Sequence, residues 1–218
     1  MLLDIHTHQP ASSGNWAIQN LYKNFEQVAL HGKYSIGLHP WYINEDNWQQ
    51  QFQLITQYGN HAHVLAIGEC GLDKVCATSF DLQVKVFTAQ VQLANQINKP
   101  LIIHCVRAYN ELLQILKQQQ NKVPVAFHGF NKNIQIAEQI VAAGYYLSFG
   151  KALQEQHLQQ VLATVPLSNI LLETDDAAID IATIYQLAAT ALHMDVDKLA
   201  LQIQQNAVTI FGADYFKL

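Results

Sequence analysis

The stretch Met1-Leu2-Leu3-Asp4-Ile5-His6-Thr7-His8 opens the chain and decides how the rest is read. A short apolar run leads into two histidines separated by one residue. On a β-strand, residues i and i+2 point to the same side, so His6 and His8 can turn both imidazoles toward one point. Imidazole is the commonest protein ligand for a catalytic divalent ion. Taken alone, such a pair is more often a surface feature or a tag remnant. Its weight comes from a pattern that returns along the chain, an apolar run ending in a ligand-type residue. Tyr34–Leu38 leads to His39, and Val64-Leu65-Ala66-Ile67-Gly68 leads to Glu69. Leu101-Ile102-Ile103 leads to His104, Val125-Ala126-Phe127 to His128, and Ile170-Leu171-Leu172-Glu173-Thr174 to Asp175.

These runs are strands in the predicted order Leu2–Ile5, Trp16–Tyr22, Tyr34–Leu38, His63–Ile67, Pro100–Ile103, Val123–Phe127, Tyr145–Phe149 and Asn169–Leu172. Amphipathic stretches separate them. Trp48, Phe52 and Ile55 share a helical face, as do Val86, Ala89, Leu93 and Ile97, then Leu112, Leu113 and Leu116. Ile136, Ala137, Ile140 and Val141 form the next face, with Gly144 as its stop. Leu158, Val161, Leu162 and Val165 follow, ended by Pro166. Two last helices are predicted, one near Ile181–Leu192 and one from Asp195, as N-cap, through Ile203. Strand–helix alternation without linker or repeat predicts one α/β domain over residues 1–218, a single (β/α)8 TIM-like barrel. No helix is legible in Gln9–Lys33, so the barrel is expected to be distorted, with an incomplete helix ring there.

Half of the 218 residues are hydrophobic and 13% are charged, enough apolar material for a large core. No apolar run is long enough to span a bilayer, and the start lacks the basic-then-apolar pattern of a secretory signal. Cys70, Cys76 and Cys105 are odd in number and not closely spaced; they are read as free thiols of a cytoplasmic protein. The net charge of −5 argues against non-specific nucleic-acid binding through a broad basic face. A phosphate-bearing substrate then needs a local positive site, which a bound metal supplies.

In a barrel of this class the active site lies at the C-terminal ends of the strands, where His6, His8, Glu69, His104, His128 and Asp175 are expected. That set exceeds the roughly three protein ligands of one open catalytic ion. Two divalent ions, of Zn, Mg or Mn, are therefore expected. A carboxylate can bridge two ions and an imidazole cannot, so Glu69 is the natural bridge. Two ions about 4 Å apart can hold a hydroxide and clamp a phosphoryl or carbonyl oxygen. Asp175 can bind one ion and accept a proton from the nucleophilic water.

The chain resembles the TatD family of metal-dependent deoxyribonucleases, hydrolases of amidohydrolase-like barrel fold. The matching stretches, in order, are Asp4-Ile5-His6-Thr7-His8, Ile36-Gly37-Leu38-His39-Pro40, Ile67-Gly68-Glu69-Cys70-Gly71-Leu72-Asp73, Lys99-Pro100-Leu101-Ile102-Ile103-His104, Phe127-His128-Gly129-Phe130 and Leu171-Leu172-Glu173-Thr174-Asp175. The resemblance implies a first metal on His6, His8, Glu69 and Asp175, and a second on Glu69, His104 and His128. It implies hydrolysis of phosphodiesters, exonucleolytic on single-stranded DNA or on small nucleotides. Departures from the family pattern lie on the substrate side. The segment between the first and third strands is short, the sixth strand leads into His128-Gly129-Phe130-Asn131 in place of His-Cys-Phe-Ser, and Asp176-Ala177-Ala178 stands where a proline usually follows. A downstream Arg-Asn-Glu-Pro loop is missing. Metal-dependent hydrolysis is thus better supported than DNA as substrate. An amide or lactone hydrolase and a non-enzymatic metal scaffold remain as alternatives.

Arg107, the chain's single arginine, stands three residues after His104 and suits a phosphate fork. His39 is expected to meet substrate or a metal-bound water, and Trp41 and Tyr42 to stack on a base. His31, His61, His63, His157 and His193 are read as structural or exposed. No membrane or protein partner is expected, and the oligomeric state is not legible.

Overall fold

The computed structural model describes residues 1–10 and 15–216. Its regular elements are β1 (Leu3–Thr7), β2 (Trp16–Leu21), β3 (Tyr34–Ile36), α1 (Trp48–Tyr58), β4 (Val64–Asp73), α2 (Phe80–Ile97), β5 (Leu101–Val106), α3 (Tyr109–Gln118), β6 (Val125–Phe127), α4 (Ile134–Ala142), β7 (Tyr146–Phe149), α5 (Gln156–Leu162), β8 (Ile170–Leu172), α6 (Ile181–Ala191) and α7 (Val196–Phe211). They fall into two compact units, one of Met1–Gln19 with Ala126–Leu218 and one of Asn20–Val125. Among the described residues no helix is long and apolar enough to cross a membrane.

In the first unit all strand pairings are parallel. β1 pairs with β2 through Leu3↔Trp16 and Asp4↔Ala17. β6 pairs with β7, and β7 with β8. The segment after β8 returns to the end of β1, where Asp175 accepts from the His8 N–H at 3.0 Å and donates to the His6 carbonyl at 2.9 Å. Helices cover the strands, so β6 and β8 read as unbroken apolar runs rather than alternating ones. Leu3, Ile5, Phe127, Phe149 and Leu171 are fully buried. Tyr185 on α6 donates its hydroxyl to the Leu3 carbonyl at 3.0 Å and accepts the Leu3 N–H at 3.2 Å. Asp180 and Asp195 cap α6 and α7 with their side chains, as expected for Asp195. Gly144, with φ of 82°, ends α4 as predicted.

In the second unit β3 pairs with β4 and β4 with β5, again parallel. Here the predicted bounds are corrected. β4 does not stop at Ile67 but runs to Asp73, buried throughout, and β5 continues past Ile103 to Val106. Glu69 and His104 therefore lie inside paired strands rather than beyond them. Two glycines allow this. A Cβ on Gly68 would fall 2.5 Å from the Ile102 carbonyl oxygen, and one on Gly71 1.9 Å from that of His104. Two buried glutamines of α2, two turns apart, satisfy backbone groups at the strand ends. Gln90 accepts from the Leu38 N–H at 2.7 Å and donates to its carbonyl at 3.1 Å. Gln83 does the same for Asp73, at 2.7 and 3.0 Å. Between β2 and β3 the described residues hold only a 3-10 turn, Phe25–Ala29, as the expected gap in the helix ring requires. His63 holds that turn, with Nδ1 2.7 Å from the Leu30 carbonyl oxygen. Residues 11–14 of the same gap lie outside the described residues.

Candidate metal centre

The first unit gathers His6, His8 and Asp175. His6 comes from β1 and His8 from just beyond it. Asp175 takes a left-handed backbone, φ 56°, in the segment bridged to Thr7. One carboxylate oxygen, Asp175 Oδ1, lies 3.5 Å from His6 Nε2 and 3.4 Å from His8 Nε2. Burial works against the ionised form of Asp175. The hydrogen bonds from His6 and His8 and the charges of His128 and His6 outweigh it and hold the carboxyl well below the usual range. Asp175 is thus an anion at neutral pH, ready to accept a cation.

His128 packs its ring 4.3 Å from that of His6. Behind it stands Glu173, fully buried, whose Oε1 accepts the Gly129 N–H at 2.6 Å and lies 3.5 Å from His128 Nδ1. Asp4 lies deeper in β1. It accepts the Thr174 N–H at 3.0 Å and the Thr174 hydroxyl, and burial raises its carboxyl to about 6.

The second unit gathers His39, Glu69 and His104. Glu69 Oε1 is 3.1 Å from both His39 Nε2 and His104 Nδ1. Asn20 holds the same residue from the other side. Its side-chain oxygen accepts the Glu69 N–H at 2.8 Å, and its amide nitrogen donates to Glu69 Oε2 at 3.3 Å. Ser35 donates to Asn20 Oδ1 at 3.1 Å and fixes which way that amide faces. His104 turns its other nitrogen to Asp73, with Nε2 3.2 Å from Oδ2.

These groups fit divalent ions. Zinc sits roughly 2.0–2.2 Å from nitrogen and carboxylate oxygen, so its donors lie at most about 4.4 Å apart. Asp175 Oδ1 stands 3.5 and 3.4 Å from its two imidazole nitrogens and Glu69 Oε1 3.1 Å from both of its own, inside that span, and the donor atoms of His128, Glu173 and Asp175 gather within 4.8 Å of one another. Mixed imidazole and carboxylate donors suit Zn or Mn.

Every expected donor thus stands in a cluster, and His39, read as a substrate contact, is buried among them. Arg107 is exposed in the turn between β5 and α3. Trp41 and Tyr42 are 56% and 48% exposed, large areas for aromatic rings outside a core. Asn20 escaped the sequence reading, and Asp73 and Glu173 stood in the family-like stretches without being assigned to the site. For Asp73 the signal was present: in a strand continued past Gly68, residues 69, 71 and 73 share a face.

A family model described as TatD related DNase matches residues 12–212. An uncharacterised metal-dependent hydrolase of Buchnera aphidicola is 32% identical over 146 residues, 65% of this chain and 54% of that protein. The 3'-5' ssDNA/RNA exonuclease TatD of Escherichia coli K12 is 30% identical over 146 residues, 64% of this chain and 55% of its own. The chain spans about half the length of the curated relatives it matches. The crystal structure of YjjV, a TatD homologue from E. coli K12, superposes with a TM-score of 0.84 at 25% identity, covering 97% of this chain and 98% of that one. That likeness establishes the fold class expected above, an eight-stranded TIM-like α/β barrel. With its His6–His8 pair, its Glu69 and its Asp175 set on such a frame, the chain belongs to the TatD family of metal-dependent hydrolases.

Proposed function

We propose that this protein hydrolyses phosphodiester bonds, acting on the ends of single-stranded DNA or on short nucleotides. The observation that carries the reading is the pair of compact donor groups, each built around one carboxylate that faces two imidazoles. On the family pattern, His6, His8, Glu69 and Asp175 are assigned to a first ion and Glu69, His104 and His128 to a second. Ions held there would supply Lewis acidity toward a phosphoryl oxygen and would activate water for attack. The chain's own residues do the rest. Asp175, set between His6 and His8, accepts the proton that the attacking water gives up. Arg107 offers a guanidinium fork to a phosphate, and the exposed Trp41 and Tyr42 offer faces on which bases stack. His39 acts from within the Glu69 group, where it orients that carboxylate.

The test is a turnover assay on single-stranded and duplex oligonucleotides, on a small chromogenic phosphodiester and on lactone and amide substrates, with and without chelator. Chelator-sensitive release of nucleotides from single-stranded ends is expected. Cleavage confined to the lactone or amide substrates would replace this reading with a carboxylic-derivative hydrolase. Ion uptake without turnover on any of them would leave a metal-binding scaffold.

A further inference from the structure

Asp73 lies four residues beyond Glu69 in β4, buried and held on every side. Its N–H and carbonyl are taken by Gln83, and its Oδ1 accepts the Val75 N–H at 2.8 Å. Its Oδ2 is shared. It accepts the Trp41 indole N–H at 2.7 Å and lies 3.2 Å from His104 Nε2. The two rings that meet on this oxygen are 5.9 Å apart at an interplanar angle of 76°. Trp41 lies 32 residues before Asp73 in the chain and is mostly exposed.

We propose that Asp73 is a positioning residue that ties the His104 imidazole to the Trp41 indole, so that ion uptake at the Glu69–His104 group and the setting of the exposed indole change together. This inference rests on the metal-binding part of the proposed function and not on its substrate. An ion on His104 Nδ1 requires that nitrogen to be without its proton, so the neutral ring carries it on Nε2. Asp73 accepts there, which selects the tautomer and fixes the ring's rotation. The same oxygen anchors the indole, so an ion that strengthens donation from His104 Nε2–H changes how much of that shared, fixed acceptor is left to Trp41.

The experiment is a titration of the chelator-stripped protein with Zn²⁺ alone, read by calorimetry and by tryptophan emission. Zn²⁺ avoids paramagnetic quenching. In the wild type, emission is expected to change in step with ion uptake. Trp41→Phe should remove that change, which assigns it to Trp41 and not to Trp16 or Trp48. Asp73→Asn should bind the ion about 10- to 100-fold more weakly, with the emission response lost and the circular dichroism spectrum unchanged. If Asp73→Asn does not fold, Trp41→Phe still decides. A persistent emission change in that variant, or a wild-type emission that stays flat while Zn²⁺ binds, overturns the coupling. A folded Asp73→Asn protein with wild-type Zn²⁺ affinity overturns the positioning role. A wild type that takes up no Zn²⁺ overturns the metal reading and this inference together, whereas failure of phosphodiester turnover leaves this one standing.

Discussion

Asp4 and Asp175 lie close together in the first unit, and the structure moves their carboxyls in opposite directions. Burial raises Asp4 to about 6 against the pull of the Thr174 hydrogen bonds, so the folded state prefers it protonated. Its contribution to stability is then complete below the ordinary value of 3.8 and lost as the pH rises through about 6. Asp175 is lowered instead, so its contribution is present above the ordinary carboxylate value and lost only at more acid pH. Chemical unfolding of the ion-free wild type and of Asp4→Asn between pH 4 and 7 reads Asp4 as a difference, with the titrating histidines common to both proteins. The wild type is expected to lose stability on the order of 3 kcal/mol relative to Asp4→Asn across that window. A difference that stays flat, or that moves in favour of the wild type as the pH rises, sinks the assignment. Asp175 is tested by kinetics: Asp175→Asn should lower kcat about 10²- to 10⁴-fold with little effect on KM. A variant turning over near the wild-type rate removes Asp175 from the chemistry.

At the scale of elements, β4 and β5 carry the second donor group, and their close approach depends on absent side chains. Gly71→Ala places a Cβ against the His104 carbonyl, so either β5 moves or the pairing breaks. A loss of about 1–3 kcal/mol is expected, read as a lower unfolding midpoint together with weaker ion binding, because His104 moves with its strand. A variant with unchanged midpoint and ion affinity would show that the strands have slack there. Gln90 is the second test. Gln90→Leu keeps the volume but leaves the buried Leu38 N–H and carbonyl without their partner, and should cost about 2 kcal/mol or more. Because Leu38 precedes His39, this change should also loosen the hold on Glu69.

For the molecule as a whole, charge bounds how a nucleic acid would be held under the proposed function. With a net charge of −5 and one arginine, the surface offers few phosphate contacts. A log–log salt slope of roughly −1 to −2 is expected for single-stranded DNA, at about 0.7 per phosphate contact. Arg107→Ala should make it shallower. A slope several times steeper, measured by titration of binding against salt, would reveal a basic groove that the charge count hides.

The strand-and-ligand pattern was legible in the sequence because burial imposes it locally. A covered parallel strand carries a buried apolar run, so the polar residue that follows the run stands out, and His6, His8, Glu69, His104, His128 and Asp175 all did. The Asp195 cap and the Gly144 stop were legible for a like reason, since each is decided by one residue and its own backbone. The length of β4 was not. Glu69-Cys70-Gly71-Leu72-Asp73 has no apolar run, and it stays extended only because β5 pairs with it across two glycines. That pairing in turn decided which carboxylates back the imidazoles. Asp73 meets His104 from a neighbouring strand and Trp41 from a distant loop. The local sequence sets which residues are buried and which way they alternate, but a hydrogen bond between side chains far apart in the chain exists only once the packed strands have brought their ends together.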